Sequence, residues 1–305
     1  MLILASVAFV PARSEKAAQP FSGRWDLTIA TSSATYPSWL EVREKDGRPQ
    51  ARVVGRTGSV HPASEVKIDG SHLTVTAPEQ FGKRANLTWE LTEQGGKLTG
   101  TQKRPDASDG QVTALRAPEL NRKAPGAWTK PEPLFDGKDL NGWEADNPSA
   151  DHWHARNGEL VNDTGGANIR TTRKFDDFKL HIEYNCPQGG NSGVYLRGRY
   201  EVQVEYEPAD KNDKYHAMGS IYGFIAPGAP VAAKPGQWES YDVTLVGRHV
   251  TVVRDDVKVI DNQEIPGITG GALDSRESEP GPIYLQGDHT GGLKYRNITI
   301  SIPER

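Results

Sequence analysis

Side chains that can bind a sugar and move protons recur along short alternating runs in the second half of the chain. In each run, valine, leucine or isoleucine occupies every second position, so the polar residues between them share the opposite face of a strand. These polar sets are His181 and Glu183; Tyr195 and Arg197; Glu201, Gln203 and Glu205; and Tyr284 and Gln286, followed by Asp288 and His289. Planar amide, guanidinium and carboxylate groups make paired hydrogen bonds to neighbouring hydroxyls, and tyrosine adds an apolar ring. The pattern indicates a carbohydrate site; the alternative is an exposed polar face with ion pairs.

A glycine-rich segment, Gly189-Gly-Asn-Ser-Gly193, precedes one of these runs. Phosphate-binding loops precede a helix N-terminus, whereas a strand follows here, so a bend that places Asn191 near a ligand is the better interpretation. Farther along, His216 and Met218 precede Tyr222 in a segment that we expect to border the same site.

The acidic residues allow two kinds of chemistry. A retaining glycosidase needs two carboxylates about 5 Å apart, whereas Glu201 and Glu205 on one strand would be roughly 13 Å apart. Glu183 would lie closer to Glu201 if their strands were neighbours. A divalent cation of unspecified identity is a candidate cofactor, with Glu183, Glu201 and His289 as its candidate ligands. The doublet Asp151-His-Trp-His154 resembles a metal pair only superficially, and Trp153 is expected to lie in the core.

The strands that must hold these residues belong to an all-β protein. The 305-residue chain has 32 glycines and 21 prolines spread along its length, and it lacks long runs of helical period. The net charge of -4 comes from interspersed acidic and basic residues, which excludes a broad nucleic-acid-binding surface. The single cysteine, Cys186, excludes an intramolecular disulfide framework.

The N-terminus carries an apolar stretch, Leu2 to Val10, which has the length of a secretory core segment. Small residues suitable for cleavage follow it, so residues 1–18 are predicted to be a shortened signal peptide and the protein to be secreted or periplasmic. The alternative is a buried N-terminal strand. No later segment is long and apolar enough to span a membrane.

Two domains are predicted. Residues 20–118 are expected to form a small antiparallel barrel or sandwich with Trp25, Trp39 and Trp89 in its core, and an interaction module is one possible role for it. Residues 119–133 are rich in proline and charge, as linkers are. Residues 134–305 form the second domain, whose two ends both look like strands and are expected to lie side by side.

Four motifs of the second domain together resemble one known family. They are Phe135-Asp-Gly-Lys-Asp-Leu-Asn-Gly-Trp143, Gly189-Gly-Asn-Ser-Gly-Val-Tyr-Leu-Arg-Gly-Arg-Tyr-Glu-Val-Gln203, Pro235-Gly-Gln-Trp-Glu-Ser-Tyr241 and Gly281-Pro-Ile-Tyr-Leu-Gln-Gly-Asp-His289. In this order they resemble the 3-keto-disaccharide hydrolase domain, formerly a domain of unknown function. The resemblance covers about residues 134–302 and does not extend to residues 1–133.

The resemblance implies a concanavalin A-like jelly roll that cleaves glycosides oxidised to a ketone at carbon 3. The ketone acidifies the proton on carbon 2, so a base can remove it and the enolate can expel the glycosidic oxygen; water then adds back. Our hypothesis takes His289 or Glu183 as the base and Arg197, or a metal held by Glu201, as the group that stabilises the enolate. The residues expected to bind the sugar are Asn191, Tyr195, Gln203, Tyr222 and Gln286. The alternative function is a non-catalytic, lectin-like carbohydrate-binding module.

Overall fold

The computed structural model describes residues 20–78, 86–105, 107–206 and 213–304. These residues form 22 β-strands and one short 3-10 turn, and none of them lies in an α-helix. The all-β prediction is therefore confirmed. No described helix is long and apolar enough to cross a membrane. The predicted signal segment, Leu2 to Val10, lies outside the described residues.

The N-terminal strands form one antiparallel sheet of nine strands in the order β4-β3-β2-β1-β9-β8-β7-β6-β5. The sheet is curled and barrel-like, because Ala63 donates a backbone hydrogen bond to Ala51 in β3 while the next residue, Ser64, donates one to Thr76 in β6. The strands are β1 Gly23–Ala30, β2 Thr35–Lys45, β3 Arg48–Val54, β4 His61–Pro62, β5 Glu65–Asp69, β6 His72–Pro78, β7 Asn86–Gln94, β8 Lys97–Lys103 and β9 Gly110–Arg116.

Two-residue turns set the register of this sheet. Lys45 pairs with Arg48, and the two residues between them, Asp46 and Gly47, both have positive φ angles of 53° and 74°. Gly95 and Gly96 play the same role between β7 and β8, with φ angles of 62° and 79°. Turns of this kind twist in the same sense as the strands they join, which is why Asp-Gly and Gly-Gly are favoured there.

The C-terminal strands form two antiparallel sheets packed face to face as a jelly-roll sandwich. One has the order β12-β13-β22-β15-β18-β19-β20, with β10 also paired to β22, and the other has the order β11-β14-β21-β16-β17. The strands are β10 Glu132–Pro133, β11 Trp143–Ala145, β12 Trp153–Arg156, β13 Glu159–Asn162, β14 Ile169–Thr171, β15 Phe178–Asn185, β16 Asn191–Leu196, β17 Tyr200–Glu205, β18 Trp238–Val246, β19 His249–Arg254, β20 Val257–Glu264, β21 Tyr284–Leu285 and β22 Leu293–Ser301. The 3-10 turn is Pro148–Ala150.

The start and the end of this sandwich lie side by side, as expected. β10 pairs with β22, and Leu134 continues the pairing through a backbone hydrogen bond to Ile298. The expectation of a strand from Leu134 to Trp143 is wrong for most of that segment. The Asp136 side chain accepts a hydrogen bond of 2.8 Å from the Lys138 amide, which favours a turn over extension.

The curled sheet and the sandwich share a hydrophobic contact. Trp39 of β2 is fully buried, but it belongs to the core cluster of the sandwich, while Trp25 and Trp89 lie in the core of the curled sheet. The Trp39 ring meets Phe224 edge to face, with ring centroids 5.3 Å apart. Gly267 lies directly against the indole, so a methyl group there would be 2.1 Å from Trp39 Nε1. The two parts are therefore packed together rather than merely tethered.

A buried pair of carboxyl groups lies at the same interface. Asp26 of β1 and Glu277 of the sandwich are both almost completely buried. Glu277 also accepts a hydrogen bond from Tyr200 at 2.6 Å and pairs with Arg248 at 3.1 Å. Burial, followed by the charge of Glu277 and a hydrogen bond to it, raises the pKa of Asp26 well above its usual range. Asp26 is therefore protonated at neutral pH.

Candidate functional site

A cavity of about 470 Å³ lies over the face of the five-stranded sheet that points away from the sandwich core. Side chains of β16 and β17 form its floor, and three loops and the end of β21 form its walls. The lining residues are Thr57, Gly58, Asn191, Tyr195, Glu201, Gln203, Glu205, His216, Tyr222, Gly270, Gly271, Gln286, Asp288 and His289. Most of the candidate residues that the alternation placed on one face therefore lie together.

The register between β16 and β17 arranges the floor. Tyr195 lies opposite Glu201, Gly193 opposite Gln203 and Asn191 opposite Glu205. Since the strand period is two, all six point to the same face while Val194, Val202 and Val204 fill the core behind them. Gly193 has a specific reason to lack a side chain: a methyl group there would lie 2.2 Å from Glu201 Oε1. The Glu201 carboxyl therefore lies flat across the sheet.

Glu201 is the buried acid of the floor. Only 3% of its side chain is exposed, and burial raises its pKa to about 8, with the charges of Glu205 and Asp288 adding to the increase. The hydroxyl of Tyr195 hydrogen-bonds to it and limits the rise. At pH 7 the carboxyl is therefore mostly protonated, and it can both donate and accept a proton near neutral pH.

The Tyr195 hydroxyl connects Glu201 to the cavity wall. Its oxygen lies 2.9 Å from Glu201 Oε2 and 2.9 Å from the carbonyl oxygen of Gly270. A hydroxyl has one proton, so it can donate to only one of these two oxygens at a time. When it donates to Gly270, the contact with Glu201 is a hydrogen bond only if Glu201 carries the proton. The arrangement thus accommodates both protonation states of the acid.

Two glutamines contribute amide groups to the lining of the cavity. The carbonyl oxygens of Gln203 and Gln286 are buried and accept no hydrogen bond from any described residue. The amide nitrogen of Gln203 is held by Glu205 at 2.5 Å, which fixes the orientation of the side chain. Buried acceptors without a partner are costly, and because both residues line the cavity, a rotation of either amide would bring its oxygen to the hydroxyls of a bound sugar.

Asp288 and His289 form a half-exposed pair at the rim. His289 Nδ1 lies 2.9 Å from Asp288 Oδ1. Burial opposes ionisation of Asp288, but hydrogen bonding and charge from His289, with help from Asn168, lower its pKa overall. An ionised carboxylate can only accept, so Nδ1 carries the proton and the basic nitrogen of neutral His289 is Nε2.

The opposite wall comes from the segment after β17. Tyr222 donates its backbone N–H to the Glu201 carbonyl at 3.0 Å, and its ring stacks against His216 with centroids 4.6 Å apart. The stacked pair gives the cavity an aromatic surface of the kind that packs against a sugar ring. Met218, expected at the border, is buried and does not line the cavity.

The expected position of Arg197 is wrong. β16 ends at Leu196, and Arg197 has a φ angle of 53°, so the alternation of the strand stops before it. Its side chain is completely buried away from the cavity, where it donates to Tyr200 at 3.0 Å and to the Gly247 carbonyl at 2.9 Å. Arg197 therefore ties loops of the sandwich together and cannot contact a ligand in the cavity.

Glu183 also lies elsewhere. It sits on β15 in the eight-stranded sheet, so it is not on a strand next to Glu201. Its carboxylate accepts hydrogen bonds of 2.6 Å from both Arg296 and Asn297. Burial opposes ionisation, but these two hydrogen bonds and the charges of Arg296 and His181 together outweigh it and lower the pKa of Glu183. Its sheet neighbour His181 is paired with Asp242 at 2.8 Å on the same outer surface.

The candidate metal ligands do not converge. Glu183 belongs to one sheet and Glu201 and His289 to the other side of the sandwich. Over the described parts of the chain, no three or more His, Cys, Asp or Glu side chains are arranged to hold a metal ion. The predicted ligand set therefore does not fit a metal. The involvement of a divalent cation stays a prediction, and no chemical step is assigned to one below.

Four lining residues were not anticipated: Thr57 and Gly58 from the curled sheet, and Gly270 and Gly271 from the loop they contact. Glycines and a lone threonine in a turn carry no chemical signal in a sequence. The only hint is the density of glycine in these two segments, which often marks close approach of two backbones.

Residues 130–301 match a known protein family, the 3-keto-alpha-glucoside-1,2-lyase-like domain. A 3-keto-disaccharide hydrolase of Bacteroides thetaiotaomicron is 24% identical over 165 residues, covering 42% of this chain and 57% of that protein. A crystal structure from Parabacteroides distasonis, provisionally described as a glycosyl hydrolase, is 30% identical and covers 60% of this chain and 93% of that one, with a TM-score of 0.48. A second such structure from that organism is 19% identical, with 58% and 94% coverage and a TM-score of 0.46. The chain thus spans little more than half the length of the curated relative.

Proposed function

Because the chain belongs to the 3-keto-alpha-glucoside-1,2-lyase-like domain family, we propose that it cleaves glucosides whose sugar ring carries a ketone at carbon 3. The observation that carries this proposal is Glu201, a buried acid with a pKa of about 8, facing a cavity with two unsatisfied amide acceptors. Such an acid can protonate a departing glycosidic oxygen near neutral pH.

The base in this proposal is His289. With Nδ1 held by Asp288, Nε2 takes the proton from carbon 2 of the sugar. An imidazole can do this only because the neighbouring ketone acidifies that proton. The electron pair of the C–H bond forms the enolate, and the carbonyl of the ketone carries the negative charge. Asp288 then stabilises the imidazolium that has formed.

Glu201 acts in the second step. The enolate re-forms the ketone and pushes electrons into a bond between carbons 1 and 2, which breaks the bond from carbon 1 to the glycosidic oxygen. Glu201 gives its proton to that oxygen, and the aglycone leaves as an alcohol. Water then adds across the new double bond: Glu201 takes the proton of the water that attacks carbon 1, and His289 returns its proton to carbon 2. Both groups end in their starting states, and the net reaction is hydrolysis.

The remaining floor residues position the sugar. The carbonyl oxygens of Gln203 and Gln286 accept hydrogen bonds from ring hydroxyls, and Asn191 lies at the same face. The stacked rings of Tyr222 and His216 pack against the sugar. Tyr195 keeps Glu201 in place in both protonation states. These contacts bind and orient a substrate, and they would also serve a module that only binds.

The test is incubation of the purified protein with a 3-keto glucoside and with its unoxidised parent, followed by product mass. We expect the aglycone to be released from the keto form alone. Release from both would point to conventional glycoside hydrolysis, and release from neither, with binding retained, to a carbohydrate-binding module. Repeating the assay after chelation, with and without added divalent cations, tests the predicted cation.

The proposed location is the periplasm or the exterior, on the basis of the apolar stretch Leu2 to Val10. Expression of the whole chain in a bacterium, followed by mass determination of the protein in each cell fraction, tests it. A protein retained in the cytoplasm with an intact N-terminus would contradict the assignment.

A further inference from the structure

One loop of the curled sheet reaches the cavity of the sandwich. Residues 55–60 connect β3 to β4, and two of them, Thr57 and Gly58, line the cavity beside Glu201 and Tyr195. The family match begins only at residue 130. This wall of the cavity therefore comes from a part of the chain outside the family match.

The loop is held by close backbone contacts with both walls of the cavity. The Gly271 amide donates to the Arg56 carbonyl at 3.2 Å. A methyl group on Gly270 would lie 2.1 Å from the Gly58 carbonyl oxygen, and one on Gly223 would lie 2.6 Å from the Ser59 side chain. Packing this close leaves no room for side chains at the contact points, so the loop and the walls fit together as one surface.

The interface behind the loop keeps it in position. Trp39 is fully buried against Phe224 and Gly267 of the sandwich, and the hydroxyls of Thr28 and Ser275 lie 2.8 Å apart. Trp39 pairs with Val54, the last strand residue before the loop, so the buried indole holds the start of the loop against the sandwich. The wall is therefore a permanent part of the site.

We propose that the residue 55–60 loop closes one end of the carbohydrate site, so that Thr57 contacts the sugar and the site accepts a short glycoside. A cavity of about 470 Å³ falls in the lower part of the range of roughly 300–1,000 Å³ for small-molecule sites. Without the loop, the face of the five-stranded sheet would be an open groove on that side. This inference rests on the proposed function and names the size class of its substrate.

The test enlarges the wall at Thr57 in the full-length protein. Thr57→Trp should raise KM for the 3-keto derivative of maltose about tenfold or more while kcat changes less than about threefold, because the tryptophan occupies sugar space but does not contact the reacting atoms. The matched control is Thr99→Trp, since Thr99 is also an exposed threonine of the curled sheet but does not line the cavity. The control should stay within about twofold of the wild type in both constants. Thermal melting of both variants checks that they are folded.

Binding of unoxidised maltose, followed by saturation-transfer NMR, separates this inference from the proposed function. If the wild type binds maltose but cleaves no keto sugar, loss of the signal in Thr57→Trp and its retention in Thr99→Trp would still support the loop as a wall. Equal KM and equal maltose binding in the two folded variants would overturn it. A wild-type protein that neither cleaves nor binds these sugars would overturn both proposals.

Discussion

Replacement of Glu201 by glutamine removes the proposed proton donor with little change in shape. The pKa of about 8 means that about nine-tenths of the wild-type protein carries the proton at pH 7. Above pH 8 this fraction falls tenfold per pH unit, so kcat for a substrate that needs the acid should fall with it. Glutamine cannot supply an acidic proton, and the loss of general acid catalysis costs roughly 10² to 10⁴ in rate.

The assay compares two leaving groups on the same 3-keto glucose. An alkyl alcohol leaves poorly without a proton, so Glu201→Gln should reduce the single-turnover rate of aglycone release at least about 100-fold with the methyl 3-keto glucoside. Nitrophenolate leaves without a proton, so the loss with the nitrophenyl 3-keto glucoside should be much smaller. With the methyl substrate, the rate of the wild type should fall above pH 8. The residual rate of Glu201→Gln should not show this fall.

The control for this experiment is Glu183→Gln. Glu183 lies on the other sheet, where it is bonded to Arg296 and Asn297. The kcat of the Glu183→Gln variant should therefore remain within about twofold of the wild-type value. Full activity of Glu201→Gln with the methyl substrate would refute the acid role. Equal losses with both leaving groups in the single-turnover rate of aglycone release would also refute it, because they would mean that the residue acts before the aglycone departs.

Three other substitutions test the surroundings of Glu201 and the buried interface between the curled sheet and the sandwich. Glu205→Gln should move the alkaline fall in kcat to lower pH, because the charge of Glu205 raises the pKa of Glu201; a shift to higher pH in the pH–rate profile would contradict this. Gly193→Ala should cost at least about tenfold in kcat, since the added methyl group would lie 2.2 Å from Glu201 Oε1 and must displace it, whereas unchanged kinetics would show that the carboxyl position is not critical. The folded state holds a proton on Asp26 that the unfolded chain releases above about pH 4, so this residue's contribution to the free energy of unfolding is greatest below that pH and falls as pH rises towards the folded-state pKa. Asp26→Asn, which can still donate to Glu277, should flatten that decline in urea unfolding between pH 5 and pH 8, and an unchanged slope would contradict the assignment.

The alternation of apolar and polar residues predicted which side chains of β16 and β17 point away from the core. Tyr195, Glu201 and Gln203 share a face because the period of a strand is two, and this holds whatever the strands pack against. The four family motifs added the sandwich fold, which the structure confirms, and a substrate class that stays a prediction. The turn residues Asp46-Gly47 and Gly95-Gly96 likewise marked hairpins, because positive φ angles are a local requirement.

Alternation within a strand does not say which sheet the strand joins. Glu183 looked equivalent to Glu201, but the pairing of β15 with β18 and β22 placed it in the other sheet. Arg197 looked like a continuation of β16, but the strand ended one residue earlier and the guanidinium turned into the loops. Strand pairing depends on contacts between segments far apart in the chain, and a pattern read along one segment contains no information about them.

Most strands around the site, with their inward and outward faces, could be predicted from the order of residues, because these features follow from local backbone geometry; Arg197, just past the end of β16, could not. The pKa of Glu201 and the walls around it depend on the tertiary structure. Burial, with the charges of Glu205 and Asp288, raised that pKa, and the packing of Trp39 against the sandwich brought Thr57 to the cavity. Both result from desolvation and close packing between segments that are distant in the chain. These long-range contacts give the site its chemistry.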